Sequence, residues 1–294
     1  MSNQAELLRG KKYAAAIKEE VAASVEKLKA DTGINPCLVA VRVGADPASE
    51  VYVNSKVKTA RDLGITSEHK RMPDETSEDE LLAVVRELNE RNDVDGILVQ
   101  LPLPKAINET RVLEAIDPEK DVDGFHPVNA GRLSQGEPSL VPCTPAGIID
   151  MLKRADVPLS GADAVIVGRS NIVGKPMALL LIKESATVTV CHSRTKDLAG
   201  VCARADILVA AVGVPGLITA DHIKDGAVVV DVGMNRMMSL SSTAPTSGMV
   251  PADPRLRSTL PSPSRWNAST SWLFVPRPTS EPSKYMAHDA VAVS

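Results

Sequence analysis

Residues 164–176 read AVIVGRSNIVGKP, a short β-branched run that ends at a glycine and leads through a second glycine into a helical segment. A buried strand that turns sharply into a helix is typical of parallel sheets, in which helices connect successive strands. Further strand-like runs, separated by helical patterns, lie at residues 37–43, 96–99, 187–190, 207–210 and 228–230. The sequence therefore predicts two α/β units with parallel sheets, joined around residues 120–145.

Bulk composition narrows the class of protein. The 294 residues suffice for two medium domains, and the net charge of −4 argues against nucleic acid or an anionic membrane as a partner. The N-terminal run MSNQAELLRGKK has no apolar signal core, and no run reaches the roughly 18 apolar residues of a membrane span. The four cysteines lack metal-ligand spacing. We expect a cytoplasmic enzyme with reduced cysteines and no metal site.

The loop after the strand at 164–167 has the features of a phosphate-binding turn. Gly168 permits a tight turn, and Gly174 stands where a helix N-terminus offers free N–H groups to an anion. These glycines are six positions apart and do not form the GxGxxG fingerprint, so a purely structural turn is the alternative. Gly213, after the strand at 207–210, either borders the same ligand or only forms a turn.

The end of the next strand distinguishes between the two dinucleotides. In an NAD site an acidic residue there holds the ribose hydroxyls, but residues 191–195 read CHSRT and contain no carboxylate. Arg194, with Arg169 from the preceding loop, can pair with a 2′-phosphate instead. This pattern favours NADP; the alternative for Arg194 is a solvated loop cation. His192 is interpreted as a packing or loop histidine.

The first unit contains the candidate reactive residues. Tyr52 and Lys56 are four apart and share one face of a predicted helix, although such pairs are common on protein surfaces. Gln100 ends the strand GILVQ, and ligands bind at the C-terminal ends of parallel strands. Pro102 then turns the chain. Asp123, in a loop with glycine and proline, either binds an amino-pyrimidine ring or caps a turn.

Seven runs stand in the order and spacing typical of one enzyme family: SEVYVNSK, DGILVQLPLP, KDVDGFHPVNAGRL, CTPAG, VGRSNIVGKP, CHSRT and VVDVGMNR. Over residues 1 to about 236 the chain resembles the bifunctional methylenetetrahydrofolate dehydrogenase/methenyltetrahydrofolate cyclohydrolases. The resemblance implies that NADP⁺ takes a hydride from 5,10-methylenetetrahydrofolate. It also implies that the methenyl product is hydrolysed to 10-formyltetrahydrofolate in the same cleft, and that the protein is a homodimer.

The resemblance also implies roles for residues of the first unit. Lys56 is the central catalytic residue, and general acid–base work suits a partly buried lysine. Gln100 is expected to hydrogen-bond Lys56, and Tyr52 to lie along the folate rings. Asp123 corresponds to the carboxylate that accepts the ring N–H groups. Tyr52, Gln100 and Asp123 are thus expected to serve both catalysis and substrate binding, with Pro102 beside the substrate.

For the second unit the resemblance implies a dinucleotide site. Thr144 in CTPAG corresponds to the segment beside the nicotinamide, which must lie against the methylene carbon. The expected cofactor-binding set comprises Thr144, Gly168, Arg169, Ser170, Gly174, Ser193, Arg194 and Gly213. We therefore expect a folate-binding catalytic domain at residues 1–124 and an NADP-binding, Rossmann-like domain at 125–238.

Residues 239–294 form a tail that departs from the family. The expected glycine-rich folate loop and final helix are not recognisable there, and 25 of the 56 residues are Ser, Thr or Pro, a composition that predicts disorder. The abrupt change suggests a reading-frame shift at the gene level; the alternative is a genuine tail with a linker or partner-binding role. A catalytically impaired relative that retains NADP binding is therefore the competing functional hypothesis.

Overall fold

The protein contains two separate parallel sheets. The structure, a computed structural model, describes residue 8, residues 10–233, and the backbone of two short strands near the C-terminus. The first sheet has the order β2-β1-β3, and the second has the order β5-β4-β6-β7. These strands are β1 (Cys37–Val43), β2 (Thr66–Met72), β3 (Gly96–Val99), β4 (Asp163–Val167), β5 (Thr187–Cys191), β6 (Ile207–Ala210) and β7 (Val228–Asp231). The predicted fold class, two α/β units with parallel sheets, is confirmed.

Helices connect these strands. They are α1 (Gly10–Thr32), α2 (Pro47–Asp62), α3 (Glu78–Glu90), α4 (Glu109–Ala115), α5 (Pro127–Gln135), α6 (Cys143–Arg154), α7 (Gly174–Lys183) and α8 (Leu198–Cys202). In α1 the apolar residues at helical spacing, Ile17, Val21, Val25 and Leu28, are buried, and a capping box between Ser77 and Glu80 begins α3. Ser49 does not cap α2, although serine is a residue type favoured at that position. Asp46 is the cap, because its carboxylate accepts a 2.7 Å hydrogen bond from the backbone N–H of Ser49.

Each sheet has a point at which its connections change sides. In the first sheet β1 lies between β2 and β3, so α2 and α3 cover opposite faces. In the second sheet β4 lies between β5 and β6 in the same manner. Loops diverge at the C-terminal ends of such neighbouring strands and leave a crevice in which ligands bind. Both candidate sites lie at these ends.

The segment KDVDGFHPVNAGRL, which the sequence predicts to be a fixed loop, is partly helical. Pro127 begins α5, and the His126 ring accepts a hydrogen bond from Val128 N over 3.1 Å. The Asp121 carboxylate, only 1% exposed, accepts hydrogen bonds from His126 N over 2.8 Å and from the Asn129 amide over 3.0 Å. The Asp121 carboxylate therefore stabilises the start of α5, because it accepts hydrogen bonds from N–H groups that would otherwise have to bind water.

Little of the tail belongs to the described part of the chain. Two three-residue strands, β8 (Ser271–Leu273) and β9 (Val291–Val293), pair in antiparallel fashion. The remainder of residues 239–294, for which the sequence predicts disorder, lies outside the described residues. Among the described helices, none combines the length and the apolar character needed to cross a membrane.

Candidate active site

Helix α2 presents Tyr52 and Lys56 on one face, as their spacing predicts. Lys56 is buried, with 6% of its surface exposed, although lysine is among the residue types least often buried. Tyr52 lies one turn earlier and is partly exposed, and burial raises the pKa of its hydroxyl. The phenol therefore remains protonated at neutral pH and is able to donate a hydrogen bond.

Strand β3 leads to Gln100 and also pairs with the segment that carries Asp123. The backbone of Ile97 donates to Lys120 O over 2.7 Å, and Ile97 pairs with Asp121 in a parallel bridge. The pairing stops at this bridge, because the chain turns at residues 122–123, where Gly124 N donates to Asp121 O over 3.1 Å. The bridge thus holds the start of this loop against the strand that ends before Gln100, although the two segments are distant in the sequence.

The Gln100 side chain does not form the hydrogen bond expected with Lys56. Its amide nitrogen donates to the carbonyl of Leu101 over 2.6 Å, and its buried oxygen Oε1 has no hydrogen-bond partner within the described residues. A hydrogen bond between Gln100 and Lys56 is likewise absent from this part of the chain. A buried acceptor without a partner is costly, so a donor at this position, from Lys56 or from a ligand, would be stabilised.

Charge couples Asp123 to Lys56. Burial raises the pKa of the Asp123 carboxyl, the nearby Lys56 ammonium opposes this rise, and the Asp121 carboxylate adds to it. A lysine ammonium close enough to influence the titration of a carboxylate forms with it an acid–base pair able to move protons on a bound ring. Lys56, from α2, and Asp123, from the loop before α5, are thereby brought into one cluster.

Cys143 also belongs to this cluster, although the sequence pattern predicts only that it is reduced. Its thiol, 7% exposed, donates to the carbonyl of Val122 over 3.6 Å. Burial raises the pKa of the Cys143 thiol, the Asp123 carboxylate raises it further, and Lys56 lowers it. The thiol therefore stays protonated at neutral pH and holds the backbone beside Asp123. Its position directly before Thr144 in CTPAG is the sequence signal that points to it.

A close crossing of two segments brings Thr144 towards Asp123. Gly124 has φ = +65°, and a Cβ atom there would lie 2.6 Å from the backbone carbon of Val141 and 2.8 Å from Pro142 N. Only glycine permits both this conformation and this approach. Thr144, partly exposed in the first turn of α6, follows the crossing immediately. The segment expected beside the nicotinamide is therefore anchored to the loop that carries Asp123.

The loop after β4 is as tight as the spacing of its glycines predicts. A Cβ atom on Gly168, where φ is +130°, would lie 2.3 Å from Ala211 O, and one on Gly174 would lie 2.3 Å from Gly168 O. Ser170 shapes the turn, since its hydroxyl oxygen accepts hydrogen bonds of 3.2 Å from Val173 N and Gly174 N. Its hydroxyl hydrogen remains available for a phosphate oxygen. The backbone is thus compact enough for a phosphate to approach closely.

The loop after β5 lies beside the loop after β4. Gly168 N donates to the carbonyl of Cys191 over 2.9 Å, so Arg169 and the segment with Ser193 and Arg194 leave adjacent strand ends. These three side chains are exposed, and neither arginine has an ion-pair partner within residues 10–233. Two unpaired guanidinium groups at neighbouring strand ends are suited to a doubly charged phosphate.

His192 and Gly213 have structural explanations. The His192 ring accepts a hydrogen bond from Arg194 N over 3.1 Å, and His192 N donates to the Thr195 hydroxyl over 2.8 Å. These bonds close a compact turn, in agreement with the interpretation of His192 as a loop histidine. Gly213 is exposed, and a Cβ atom there would meet nothing within 4 Å. Its backbone follows β6 beside the crevice, but no contact among the described residues requires a glycine.

Comparison with known proteins identifies the family. Residues 8–123 match the family model of the tetrahydrofolate dehydrogenase/cyclohydrolase catalytic domain, and residues 142–253 match that of its NAD(P)-binding domain. The chain belongs to the tetrahydrofolate dehydrogenase/cyclohydrolase family. The second match extends beyond residue 236, where the motifs recognisable in the sequence end.

Similar proteins of this dehydrogenase/cyclohydrolase family cover most of the chain. The bifunctional protein FolD of Koribacter versatilis is 58% identical over 233 residues, which are 79% of this chain and 76% of that protein. A crystal structure of the Campylobacter jejuni FolD enzyme is 46% identical, with a TM-score of 0.77 over 79% of this chain and 83% of that one. The Trypanosoma brucei enzyme, solved with NADP and an inhibitor, is 36% identical, with a TM-score of 0.77 over 82% of each chain.

These comparisons confirm the predicted family, the enzyme class and the dinucleotide-binding character of the second unit. The domain boundaries and the roles of individual residues stay predictions. Near the end of the first sheet the structure places Lys56 close enough to Asp123 to influence its charge. Gln100 and Pro102 follow β3, and Tyr52 lies one turn before Lys56 on α2. The structure places Gly168, Arg169, Ser170, Gly174, Ser193, Arg194 and Gly213 at the corresponding end of the second sheet, with Thr144 between the two groups in sequence.

Proposed function

We propose that this protein oxidises 5,10-methylenetetrahydrofolate with NADP⁺ and hydrolyses the 5,10-methenyl product to 10-formyltetrahydrofolate. The observation that carries the proposal is the cluster of buried Lys56 and partly exposed Asp123 near the end of the first sheet. The Lys56 charge acts on the Asp123 carboxyl, and the cluster adjoins the segment that leads to Thr144. Family membership supplies the reaction class, and the cluster supplies groups able to perform it.

Three groups support the binding of a reduced pterin. The Asp123 carboxylate accepts hydrogen bonds from the amino and ring N–H groups, and the unpartnered Oε1 of Gln100 accepts one more. Tyr52 packs along the ring system, with Pro102 at the turn beyond Gln100. Partial burial strengthens these hydrogen bonds, because water competes less for the same groups.

Lys56 performs the proton transfers of the hydrolysis. The methenyl carbon is already electrophilic, so the reaction chiefly requires a positioned water molecule and a group that accepts and returns its proton. Lys56 is buried at the cluster, near the carboxylate that orients the ring. General acid–base catalysis by a positioned side chain contributes about 10²- to 10⁴-fold to a rate.

The dinucleotide loops fit NADP better than NAD. Bound there, the dinucleotide accepts the hydride. The turn at Gly168 and Gly174 has no room for side chains at these positions, and a pyrophosphate needs such a bare backbone in order to approach closely. Residues 191–195 provide a hydroxyl and an arginine where an NAD site needs a carboxylate. Arg169 and Arg194 bind the 2′-phosphate, and Thr144 lines the nicotinamide end.

We extend the proposal to assembly and location by family resemblance. The protein is a homodimer in the cytoplasm, and its small-molecule partners are tetrahydrofolate one-carbon derivatives. Sedimentation velocity of the purified chain tests the dimer, with a monomer at all concentrations as the contrary result.

One observation favours a second candidate function, an impaired enzyme that retains NADP binding. The K. versatilis FolD matches this chain over 233 residues, and the glycine-rich folate loop and final helix of the family are not recognisable after residue 236. Loss of that loop removes part of the folate pocket while leaving the second sheet's loops unchanged. Folate turnover is then weak or absent although NADP binds.

The deciding experiment measures both reactions on the purified full chain. NADPH formation from methylenetetrahydrofolate and hydrolysis of the methenyl compound are followed separately, together with the binding of NADP⁺ and NAD⁺. We expect both activities, tighter binding of NADP⁺, and a loss of hydrolysis of about 10²-fold or more in Lys56→Met. Lys27→Met, at an exposed position of α1, is the control and keeps both rates.

The contrary outcomes are distinct. NADP⁺ binding without either activity establishes the impaired candidate. Tighter binding of NAD⁺ contradicts the role given to Arg194. Full hydrolysis by a folded Lys56→Met variant contradicts the role given to Lys56.

A further inference from the structure

A pocket lies between α2 and β2, and its lining includes none of the candidate site residues. Its volume is about 310 Å³, and it is lined by Asn54, Val57, Lys58, Arg61, Asp62, His69 and Arg71. At 3.6 residues per helical turn, Arg61 lies roughly half a turn around α2 from Tyr52, so the pocket and the folate cluster use opposite faces of the helix. The residues assigned to folate and to the dinucleotide do not line it.

Positive charge prevails in this pocket. Lys58, Arg61 and Arg71 are all exposed at its wall, and Asp62 is its single carboxylate. The Lys58 ammonium contacts Asp62 at 2.8 Å, which leaves the two arginines uncompensated by any lining residue. On a protein whose net charge is −4, a concentration of arginines on one concave surface attracts anions.

His69 lines the pocket and has a buried ring nitrogen. Its Nδ1 accepts a hydrogen bond from Arg71 Nε over 3.3 Å, so in the neutral ring the proton resides on Nε2. Burial lowers the pKa of His69, and the charges of Arg71 and Arg42 lower it further, so the ring is neutral at neutral pH. Within the described residues, the buried Nε2 has no hydrogen-bond partner.

Arg42 lies beside the pocket with an incomplete set of partners. It is in register with Arg71 on the neighbouring strand, and only 7% of its surface is exposed. Its Nε and Nη1 atoms are buried without a partner in the described part of the chain, and its contact with Glu50 is long, at 3.9 Å. Buried donors without a partner are unfavourable, and an anion that reached Nε and Nη1 would satisfy both.

We propose that this pocket binds a small oxyanion of the phosphate class, at a site separate from those for folate and dinucleotide. The unsatisfied groups are all donors, and forked guanidinium groups match the geometry of phosphate oxygens. A volume of 310 Å³ is at the lower end of ligand pockets, so it suits a phosphate group with a short attached moiety.

A second copy of the chain is the weaker candidate for the occupant. Pairing through a two-fold axis brings the same surface patch of each copy together. The arginines of this pocket would then face one another, and like charges at an interface disfavour association. A small anion meets the same donors without that repulsion.

The test is calorimetric titration of the full chain with inorganic phosphate at constant ionic strength, with chloride as the reference salt. It uses an Arg169→Gln/Arg194→Gln background, so that the dinucleotide loops cannot supply the signal. We expect saturable binding in this background, weakened about 10-fold or more by Arg71→Gln or Arg42→Met. Arg132→Gln, at an exposed position of α5, is the matched control and leaves binding unchanged.

Each other outcome overturns the proposal. Heats equal to those of chloride mean that no phosphate site exists. Equal binding by Arg71→Gln and Arg132→Gln places the phosphate elsewhere. A change in sedimentation coefficient in Arg71→Gln, with no phosphate binding by the parent, assigns this face to contact between copies. None of these readouts depends on folate turnover.

Discussion

Asp123 illustrates at the scale of one residue how substrate binding opposes stability. Burial raises the pKa of its carboxyl, so folding favours the protonated form, whereas the pterin-binding role that we propose for it requires the ionised form. The Lys56 charge offsets part of this conflict, because it favours ionisation. Removal of the titratable group should therefore affect affinity and stability in opposite directions.

Asp123→Asn tests this conflict. Because the folded-state pKa is raised, the stability that Asp123 contributes is present at low pH and is lost as pH rises through that pKa. We expect wild type to lose stability relative to Asp123→Asn as pH rises above about 4, where an unfolded aspartate ionises. The KM for methylenetetrahydrofolate should rise about 10- to 100-fold, as for a lost hydrogen bond to a charged group. Urea denaturation at a series of pH values measures the first effect, and a difference independent of pH contradicts it.

Gly124 permits a second prediction, because the chain offers a matched control. Gly124→Ala combines a strained positive φ with contacts of 2.6–2.9 Å to the backbone of residues 140–142. We expect a loss of about 2–5 kcal/mol in the free energy of unfolding, together with weaker folate binding. Gly136 has a similar φ of +75° but nothing within 4 Å, so Gly136→Ala should lose only about 1–2 kcal/mol. Equal losses in chemical denaturation would show that the crossing at Gly124 is not tight.

Several members of the candidate site were readable from the sequence, and others were not. Lys56 and Asp123 stood in motifs long enough to name a family. Cys143 belongs to their cluster only because the chain crosses at Gly124, a contact between segments that no local pattern reveals. The expected hydrogen bond between Gln100 and Lys56 is not formed. The sequence could not reveal this, because the rotamer of a side chain depends on all the residues around it and not on residue type alone.

At the scale of elements, Lys120 connects the end of α3 to the segment that leads to Asp123. The Lys120 ammonium donates to the carbonyls of Leu88, Asn89 and Arg91, over 3.3, 2.8 and 2.8 Å, at the end of α3. These carbonyls have no partner within the helix, so a cation there caps the terminus. The carbonyl of Lys120 accepts from Ile97 in β3. Lys120 therefore joins a helix end, a strand and the segment that leads to Asp123.

Lys120→Met should remove the hydrogen bonds that connect the end of α3 to this segment. It leaves the helix-end carbonyls without their donor, so we expect a loss of about 1–3 kcal/mol in the free energy of unfolding. Hydrogen exchange should increase at the end of α3 and in residues 120–124. Lys105→Met, at an exposed position, should change stability by no more than about 0.5 kcal/mol. If the two variants are equally stable, Lys120 does not cap α3.

The elements also show where sequence patterns end. Strand β1 is buried throughout and was evident from its β-branched run. Strand β2, with the sequence TSEHKRM, was missed because it is a polar edge strand whose place in the sheet depends on pairing with β1. Helix α5 was taken for a loop because it is short, and its start depends on the buried Asp121. Buried elements could thus be predicted from their apolar patterns, whereas elements that depend on contacts between distant segments could not.

At the scale of the whole molecule, the dehydrogenase reaction needs residues from both sheets, so contacts between the two parts of the chain matter. Arg154, at the end of α6, donates through both terminal nitrogens to the Glu20 carboxylate of α1, over 2.8 and 2.7 Å. Its Nε donates to Asp150 within α6 over 2.7 Å. The forked geometry connects residues 134 positions apart, which local sequence patterns cannot predict.

A double-mutant cycle with Glu20→Gln and Arg154→Met measures this connection. Both side chains are substantially exposed, so solvent screens the pair, and we expect a coupling of about 0.2–1 kcal/mol at pH 7 that diminishes in high salt. The hydrogen bond from Arg154 lowers the pKa of Glu20, so the stabilisation is present above the usual glutamate pKa and is lost as pH falls through the lowered value. The same cycle with Asp150→Asn is the control, because that pair stabilises only α6 itself. If Glu20→Gln lowers the rate of NADPH formation but not that of hydrolysis, the ion pair also helps to position the dinucleotide against the folate. Equal effects on both rates would limit the role of the pair to stability.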